Sequence, residues 1–549
     1  MKPTHTVAPD AVRRHRTGFA LLLTAVVTVA AFVSFDAPRA NAQVAQAWSY
    51  DTPLDPYGTW RGARVQAMGN LEAAVEDDRN PISPYGIGTN PAGFLTVRDT
   101  SWVEHASNYE DYFDGFYGKS HSAVSRTTAT RLGWQRSGRW VLGAEIRYGV
   151  FDASRHDQGS VEDRSRFIRD FDISLPDYFI PRTGDRTLGA GVSSPYASLS
   201  YARRFRSWLT LGGRLGYRSE REDRRVLNDE YDFDHESGGS DLAGGLLLHP
   251  RWMKDKVQLG VFAGRYGSKV TGVSSSPLNE DEYALERPLI SWGAHAHVRL
   301  GGFRGVFGGA HRSYDGEQIA RVNWAPQFFL NPYPSEVNQD YIFKKRWTTA
   351  LTGMRHNEGL GQWMLDVPGT PVHVGMKYKY YRQYQWTRPL PGVLSPMLPL
   401  DVRRLGYRTA GGFSVDFAEN AGAVAVELQL AREQRADWAE ESGFGTSANS
   451  LPDVSMGDVS YHFGAEYKPR PWLPLRAGVA LRRYDPDRRD GNAPYRGIRV
   501  SAGAAYRWNA LGLLIDGAYS HEHFHHTPLD PSLEIGYGNS FQLSVQHLF

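Results

Sequence analysis

Cysteine is absent from all 549 residues of the chain. Disulfide bonds and thiol chemistry are therefore excluded, and the chain can cross an oxidising compartment with nothing to mispair. After residue 35, no apolar run approaches the roughly 18 residues that a membrane-spanning helix requires. The formal net charge is only +2, and no basic stripe runs along the sequence. We therefore expect no nucleic-acid partner.

Motifs that carry catalysis are missing as well. The sequence has no Gly-x-Ser-x-Gly, no His-Glu-x-x-His and no glycine-rich phosphate loop. We therefore predict that the protein is not an enzyme and holds no cofactor.

One histidine-rich stretch has the ligand type that transition metals prefer. His521, His523 and His525 share one face of a predicted strand. The stretch lies at a predicted external strand end, where such side chains are usually solvated. We assign no metal to it, and these three residues stay the only metal candidates.

The chain opens with the pattern of a secretory signal peptide. Three arginines precede an apolar segment over residues 20–35, and Ala40-Asn41-Ala42 is a small-x-small cleavage site. We predict a signal peptide over residues 1–42 and a mature chain that leaves the cytoplasm.

Apolar and polar residues alternate throughout the mature chain. In residues 290–300, 372–380 and 498–508, every second side chain is apolar and the residues between them are mostly polar or glycine. A period of two is that of a β-strand. A β-sandwich also alternates, but strands of about 9–11 residues that often end in Tyr or Trp favour a transmembrane β-barrel.

The last strand ends on its apolar face with the aromatic residue Phe549. A terminal Phe on a final strand resembles the signal that the bacterial outer-membrane assembly machinery recognises. We therefore expect Phe549 to contact that machinery.

The predicted connections alternate between short and long, as in barrels with short periplasmic turns and long external loops. The predicted long loops include a charged stretch over residues 219–240 and a second over residues 267–288, and the turn at residues 356–371 is long for the periplasmic side. This pattern predicts seventeen strands after residue 122, and residues 100–108 supply one more rising strand. The predicted fold is all-β: an antiparallel transmembrane β-barrel of about 18 strands over residues 99–549, with 16 or 14 as alternatives. The expected location is the outer membrane of a Gram-negative bacterium, with both termini in the periplasm.

Cations outnumber anions on the face predicted to line the lumen. An open aqueous pore, ion pairs that anchor a plug, or charge compensation within the wall could each explain the excess. The predicted lumen-facing cations and histidines are Arg147, Arg214, His295, His297, Arg299, Lys377, Lys379, Arg499 and Arg507.

Residues 43–98 precede the barrel, and most of this segment does not alternate. It contains Met68-Gly69, then Asp77-Asp78, then Asn90-Pro91-Ala92-Gly93. These elements in this order resemble the N-terminus of the FadL-type family of outer-membrane proteins. That family includes transporters of long-chain fatty acids and aromatic hydrocarbons, and the related PorV-type proteins associated with secretion.

Independently of the resemblance, an irregular segment rich in Gly and Pro can fold into so wide a barrel as a hatch, where its backbone groups can bond to the polar inner wall. A periplasmic tail is the alternative. The residues expected to form the hatch or touch a ligand are Met68, Gly69, Asp77, Asp78, Asn90, Pro91, Ala92 and Gly93. The implied function is passive uptake of small hydrophobic molecules through a hatch-gated barrel. A PorV-like scaffold for secreted or surface proteins and a general polar porin are the alternatives. The expected partners are outer-membrane lipid and lipopolysaccharide, small-molecule cargo, and secreted or surface proteins.

Overall fold

The structure is a computed structural model. None of its described helices is long and apolar enough to cross a membrane. The residues it describes are 63–75, 90–93, 101–116, 119–136, 139–157, 186–226, 231–250, 256–275, 280–323, 347–389, 400–417, 421–439, 454–485, 495–526 and 536–548. The predicted signal peptide and Phe549 therefore lie outside the described residues.

Eighteen strands make up nearly all of the described chain. Two short helical elements precede them: α1 (Ala63–Ala67) and a 3₁₀ turn at Pro91–Gly93. The strands are β1 (Trp102–Phe116), β2 (Lys119–Arg136), β3 (Trp140–Asp157), β4 (Arg186–Arg206), β5 (Leu209–Val226), β6 (Tyr231–Leu248), β7 (Val257–Ser275), β8 (Glu280–Leu300), β9 (Phe303–Asn323), β10 (Trp347–Asp366), β11 (Val372–Pro389), β12 (Leu400–Phe417), β13 (Gly422–Ala439), β14 (Val454–Arg470), β15 (Leu473–Asp485), β16 (Tyr495–Trp508), β17 (Leu513–His526) and β18 (Gly536–Leu548).

The sheet closes on itself. Every strand pairs antiparallel with its sequence neighbours, and β1 pairs with β18 from Trp102 opposite Leu548 to Asp114 opposite Gly536. Closure leaves no free strand edge, which a barrel in a bilayer requires. The predicted antiparallel barrel of 18 strands is confirmed, and the extra rising strand expected at residues 100–108 is β1.

The outer face is apolar. Leu199, Leu215 and Leu242 lie side by side on β4, β5 and β6, and they are 61%, 60% and 60% exposed. Their strand neighbours Arg214 and Asp241 point the other way and are buried. Each leucine forgoes roughly 1.5–3 kcal/mol if it faces water, so this face is built to meet lipid. The structure is therefore a transmembrane barrel.

The two ends of the barrel differ in their connections. At one end the turns are short, such as Gly301-Gly302, where Gly301 has a φ of 59°. We call this the short-turn end. The long connections are at the other end, which we call the long-connection side. They include residues 158–185, 324–346 and 440–453, which lie outside the described residues.

Several predicted connections turn out shorter than expected because the strands continue into them. β7 runs to Ser275 and β8 begins at Glu280, both inside the loop predicted over residues 267–288. The charged stretch predicted as a loop over residues 219–240 contains the ends of β5 and β6, which pair as far as Val226 opposite Tyr231. The long turn predicted at residues 356–371 shrinks to residues 367–371, since β10 runs on to Asp366. Inter-strand backbone hydrogen bonds hold these extensions, and the local sequence pattern does not report that pairing.

We predict that Leu215→Arg lowers the free energy of unfolding in lipid vesicles by about 2–4 kcal/mol, because it places a cation at the bilayer midplane. Leu300→Arg, at the short-turn end of β8, is the control and should cost about 0–1 kcal/mol. Denaturant titration followed by heat-modifiable gel migration measures both values. Equal costs at the two positions would contradict a lipid-facing belt.

Candidate functional site

Part of the N-terminal segment lies inside the barrel. Helix α1 contacts β15 to β18, and the 3₁₀ turn at residues 91–93 contacts β4, β5 and β6. Met68, just after α1, lies against Gly464 of β14. Strands β5 and β14 are half the circumference apart in an 18-strand ring, so the two pieces touch opposite walls. The wall groups that the segment touches lie on the face opposite the exposed apolar side chains. We call residues 63–75 and 90–93 the luminal segment.

Glycines in the wall let the luminal segment approach the strands at backbone distance. A Cβ built on Gly464 would meet the Met68 carbonyl oxygen at 2.5 Å, and one on Gly478 would overlap the backbone nitrogen of Gly69. Glycine in a strand often marks such a close approach of another backbone. Four further wall glycines lie against the segment in the same way: Gly212, Gly245, Gly375 and Gly503.

The chain reverses just after α1 at two residues with left-handed backbone. Gly69 has a φ of 81° and Asn70 a φ of 65°, a region that glycine and asparagine tolerate best. The Gly69 N–H donates to the Ser501 hydroxyl at 3.0 Å, and His462 Nδ1 lies 2.5 Å from the Gly69 carbonyl oxygen. The Met68-Gly69 element is therefore a wall contact.

A wall carboxylate holds the next stretch of the segment. Glu427, only 1% exposed, accepts hydrogen bonds from the consecutive backbone N–H groups of Glu72, Ala73 and Ala74 at 2.8, 2.7 and 2.8 Å. Gln429 donates to Glu427 at 2.7 Å and to the Asn70 carbonyl at 2.9 Å. Successive amides that converge on one anion form a nest, and here the wall supplies the anion.

Ion pairs add to this attachment. Arg64 of α1 lies 3.1 Å from Glu466, which also pairs with Arg476 at 2.7 Å and with Lys468 at 3.3 Å. Glu72 pairs with Lys377 at 3.2 Å and with Arg408 at 2.7 Å. Cations of the wall therefore hold part of the luminal segment, which is one of the explanations left open for the cationic excess.

Other cations of the wall are compensated within the wall. Arg214 lies 2.9 Å from Asp241, Lys379 lies 3.7 Å from Glu358, and Arg499 pairs with Glu522. Among the remaining predicted residues, Arg147 lies over the Tyr196 ring, His297 lies against His295, and Arg299 and Arg507 are exposed.

Asn90 attaches the second piece of the luminal segment to β6, β7 and β8. Its side-chain amide lies 3.3 Å from the Leu246 carbonyl oxygen, 3.4 Å from that of Val261 and 3.1 Å from His295 Nε2. Its Oδ1 accepts the Ala92 N–H at 3.1 Å, the bond of an Asx turn. Pro91, whose φ is fixed by its ring, follows at once. Asn90-Pro91-Ala92-Gly93 is therefore a compact wall-bound turn.

The remaining predicted site residues lie outside the described residues or make other contacts. Asp77 and Asp78 lie outside the described residues. His521 Nδ1 lies 2.8 Å from Asn539 Oδ1, and the His525 side chain is outside the described part. Within the ranges that the structure describes, no group of three or more His, Cys, Asp or Glu side chains could hold a metal.

The sequence analysis missed two apolar clusters on the inner wall of β7 to β10. Their members are 0 to 9% exposed and lie on the face opposite the lipid-facing Ile290, Trp292 and Phe307. The signal was present in residues 261–266, where apolar side chains occupy both faces of the strand. The upper cluster, on the long-connection side, is Tyr266, Leu289, Tyr314 and Met354. The lower cluster, nearer the short-turn end, is Phe262, Val306, Ala310 and Leu360.

The upper cluster and the luminal segment occupy different heights. The segment contacts the wall near the short-turn end. Its contacts lie within about eight residues of that end of each strand, for example at Gly375, Glu427 and Leu246. Tyr314 and Met354 lie about ten residues or more from that end, roughly 30 Å along the strand. The upper cluster is therefore on the long-connection side of the segment.

These features define the class: a transmembrane β-barrel whose lumen holds part of its own N-terminal segment. No family model matches the sequence. No curated protein matches it.

Several solved structures are similar. The toluene transporter TodX of Pseudomonas putida is 11% identical, with 89% of this chain and 97% of that chain covered and a TM-score of 0.33. The toluene transporter TbuX of Ralstonia pickettii is 12% identical, with 90% and 99% covered and a TM-score of 0.32. A FadL homologue of Pseudomonas aeruginosa is 12% identical, with 89% and 98% covered and a TM-score of 0.35. Likeness at this level supports no inference about cargo.

We predict that Glu427→Ala accelerates hydrogen exchange at the amides of Glu72, Ala73 and Ala74 by about 10- to 100-fold. Each loses a charge-assisted hydrogen bond worth roughly 1.5–3 kcal/mol. Hydrogen–deuterium exchange with mass spectrometry measures the change. Asp241→Ala, which removes a buried wall carboxylate that pairs with Arg214, is the control and should leave these amides unchanged. Unchanged exchange in Glu427→Ala would contradict the attachment.

Proposed function

We propose that this chain is an outer-membrane transporter for passive uptake of small hydrophobic molecules, with the luminal segment as its gate. The observation that carries the proposal is the order of features along the lumen. An inward apolar cluster lies on the long-connection side, and a segment attached to opposite walls lies below it.

The proposed orientation follows from the connections. Outer-membrane barrels have short periplasmic turns and longer external loops, so the short-turn end faces the periplasm. Both termini then lie in the periplasm, because β1 begins and β18 ends at the short-turn end. A signal peptide over residues 1–42 and recognition of Phe549 by the assembly machinery are parts of the same proposal.

Hydrophobic cargo is favoured over polar cargo by the inner wall. The lumen of a porin is polar and water-filled, whereas Tyr266, Leu289, Tyr314 and Met354 form a buried apolar cluster on the inner wall here. Binding sites for small molecules are mostly apolar and aromatic, and methionine adapts to differently shaped ligands. The resemblance of Met68-Gly69 and Asn90-Pro91-Ala92-Gly93 to the FadL-type pattern points the same way.

Gating requires that the attachments of the luminal segment be reversible. The polar ones are hydrogen bonds and ion pairs, each worth about 0.5–3 kcal/mol net, and Met68 and Leu71 add apolar packing against the wall. Cargo that binds better when the segment has shifted would move the equilibrium toward the open state. Passive uptake of this kind needs neither catalysis nor a cofactor.

A scaffold for secreted or surface proteins is the second candidate. It is favoured by the extent of burial, since Met68, Asn90 and Ala92 are each 0% exposed. A barrel that stays closed in this way could serve as a docking platform without any pathway.

Planar-bilayer conductance before and after deletion of residues 43–94 separates these functions. We predict little conductance in the intact protein and a large conductance after deletion, because the deletion removes the luminal segment. Large conductance in the intact protein would contradict gated uptake and favour a polar porin. Absence of conductance in both forms, with a co-purifying surface protein, would favour the scaffold.

We predict that Met354→Asp lowers uptake of toluene into proteoliposomes by at least about tenfold. A carboxylate in the upper cluster must be desolvated when apolar cargo passes, which costs more than about 1.4 kcal/mol. Gln383→Glu is the control, since it adds the same charge to a polar part of the inner wall opposite Arg404. Equal effects of the two substitutions would show that the upper cluster does not contact cargo.

A further inference from the structure

Three arginines form a group on the lipid-facing side of the barrel. Arg355 on β10, Arg382 on β11 and Arg403 on β12 occupy outward positions on the long-connection side. Arg382 and Arg403 are exposed. We call these three residues the arginine cluster.

The register brings these three residues around one tyrosine. Tyr384 pairs with Arg355 on one side and with Arg403 on the other. Arg382 lies two residues before Tyr384 on the same face of β11. Diagonal neighbours on adjacent strands are about 7–8 Å apart, so the flexible side chains of all three arginines can reach a common point.

Aromatic rings hold two of these guanidinium groups in place. Tyr384 stacks on Trp386 with ring centroids 5.4 Å apart. The Arg403 guanidinium lies 5.6 Å from the Tyr384 ring, and that of Arg355 lies 5.1 Å from the Trp386 ring. Cation–π contacts of this kind orient arginine without neutralising it.

The members of the arginine cluster differ in their ionic partners. Arg355 is paired with Asp315, which its Nη2 contacts at 2.9 and 2.8 Å. Among the described residues, no carboxylate forms an ion pair with Arg382. The Arg382 guanidinium is therefore presented to whatever covers the outer face.

The height of the arginine cluster is that of lipid headgroups. On the side toward the short-turn end, the same strands expose Tyr378, Tyr380, Leu405 and Tyr407. Aromatic side chains mark the interface between the hydrocarbon and the headgroups. Arg382 and Arg403 follow on the same face, and Tyr384 and Trp386 continue the aromatic belt beyond Arg382. The arginine cluster therefore lies within the belt, at the level of the lipid headgroups.

We propose that the arginine cluster binds a phosphate group of the lipid A part of lipopolysaccharide. Guanidinium groups match phosphate geometry with two parallel hydrogen bonds, and lipid A presents phosphates at this depth in the outer leaflet. The proposal rests on the proposed outer-membrane location and on its orientation, and it is independent of transport.

The opposite end of the barrel supplies a matched control. Arg203 also points outward and lies 5.2 Å from the Phe205 ring. Its paired positions on the neighbouring strands are Trp140 and Leu211, so no second cation adjoins it there. Arg203 thus has the same chemistry as a member of the arginine cluster without the cluster.

The test measures binding of purified, folded barrels to lipopolysaccharide in detergent by native mass spectrometry. We expect Arg382→Ala/Arg403→Ala to bind at least about tenfold more weakly than the unmodified chain, and Arg203→Ala to bind equally well. Dephosphorylated lipopolysaccharide should abolish the difference. Heat-modifiable gel migration checks that each variant is folded.

Three results would overturn the proposal. These are equal binding by the double variant, an equal loss in Arg203→Ala, or an arginine-dependent preference for phosphatidylglycerol over lipopolysaccharide. Toluene uptake by the same variants in proteoliposomes reports on transport separately, so failure of one proposal is distinguishable from failure of the other.

Discussion

The bilayer offers backbone amides no hydrogen-bond partner, and the rest of the structure depends on this constraint. Every strand must therefore be paired on both sides, and the pairing of β1 with β18 meets that requirement. Closure fixes the register, and the register divides each strand between lipid and lumen. An irregular segment such as residues 63–75 is compatible with the membrane only inside that wall, where polar groups can satisfy its backbone.

The wall meets the luminal segment in two ways. Glycines such as Gly478 remove side chains where two backbones touch, and buried polar groups such as Glu427 and Gln429 pair with the amides and carbonyls that come close. Polar groups that are buried and satisfied specify one arrangement. The inner wall is thus complementary to a particular stretch of chain. The wall of a water-filled pore needs only polar side chains that water can solvate.

Strand number and the lipid-facing residues could be predicted from the sequence because period two is a local signal. The partners of the luminal segment could not. Glu427 accepts a hydrogen bond from the Glu72 amide, which is 355 residues away in the sequence. No local pattern encodes a contact across that separation. Tyr314 and Met354 were missed for another reason. Alternation assigns apolar side chains to lipid, and the departure from it was visible in residues 261–266 of β7, where apolar side chains occupy both faces. The pairing of β5 with β6 through residues predicted to form a loop was likewise invisible to local pattern.

The most direct test of the account is a cross-link between the luminal segment and the wall. The Ser501 hydroxyl of the wall donates to the Ala67 carbonyl at 3.0 Å, and the chain has no cysteine of its own to interfere. In outer-membrane vesicles, Ala67→Cys with Ser501→Cys should be joined by a short bifunctional thiol reagent. Ala67→Cys with Ala502→Cys, where residue 502 faces lipid, should not. Failure of the first pair to cross-link in a folded barrel, or equal cross-linking of both pairs, would contradict a segment held inside the lumen.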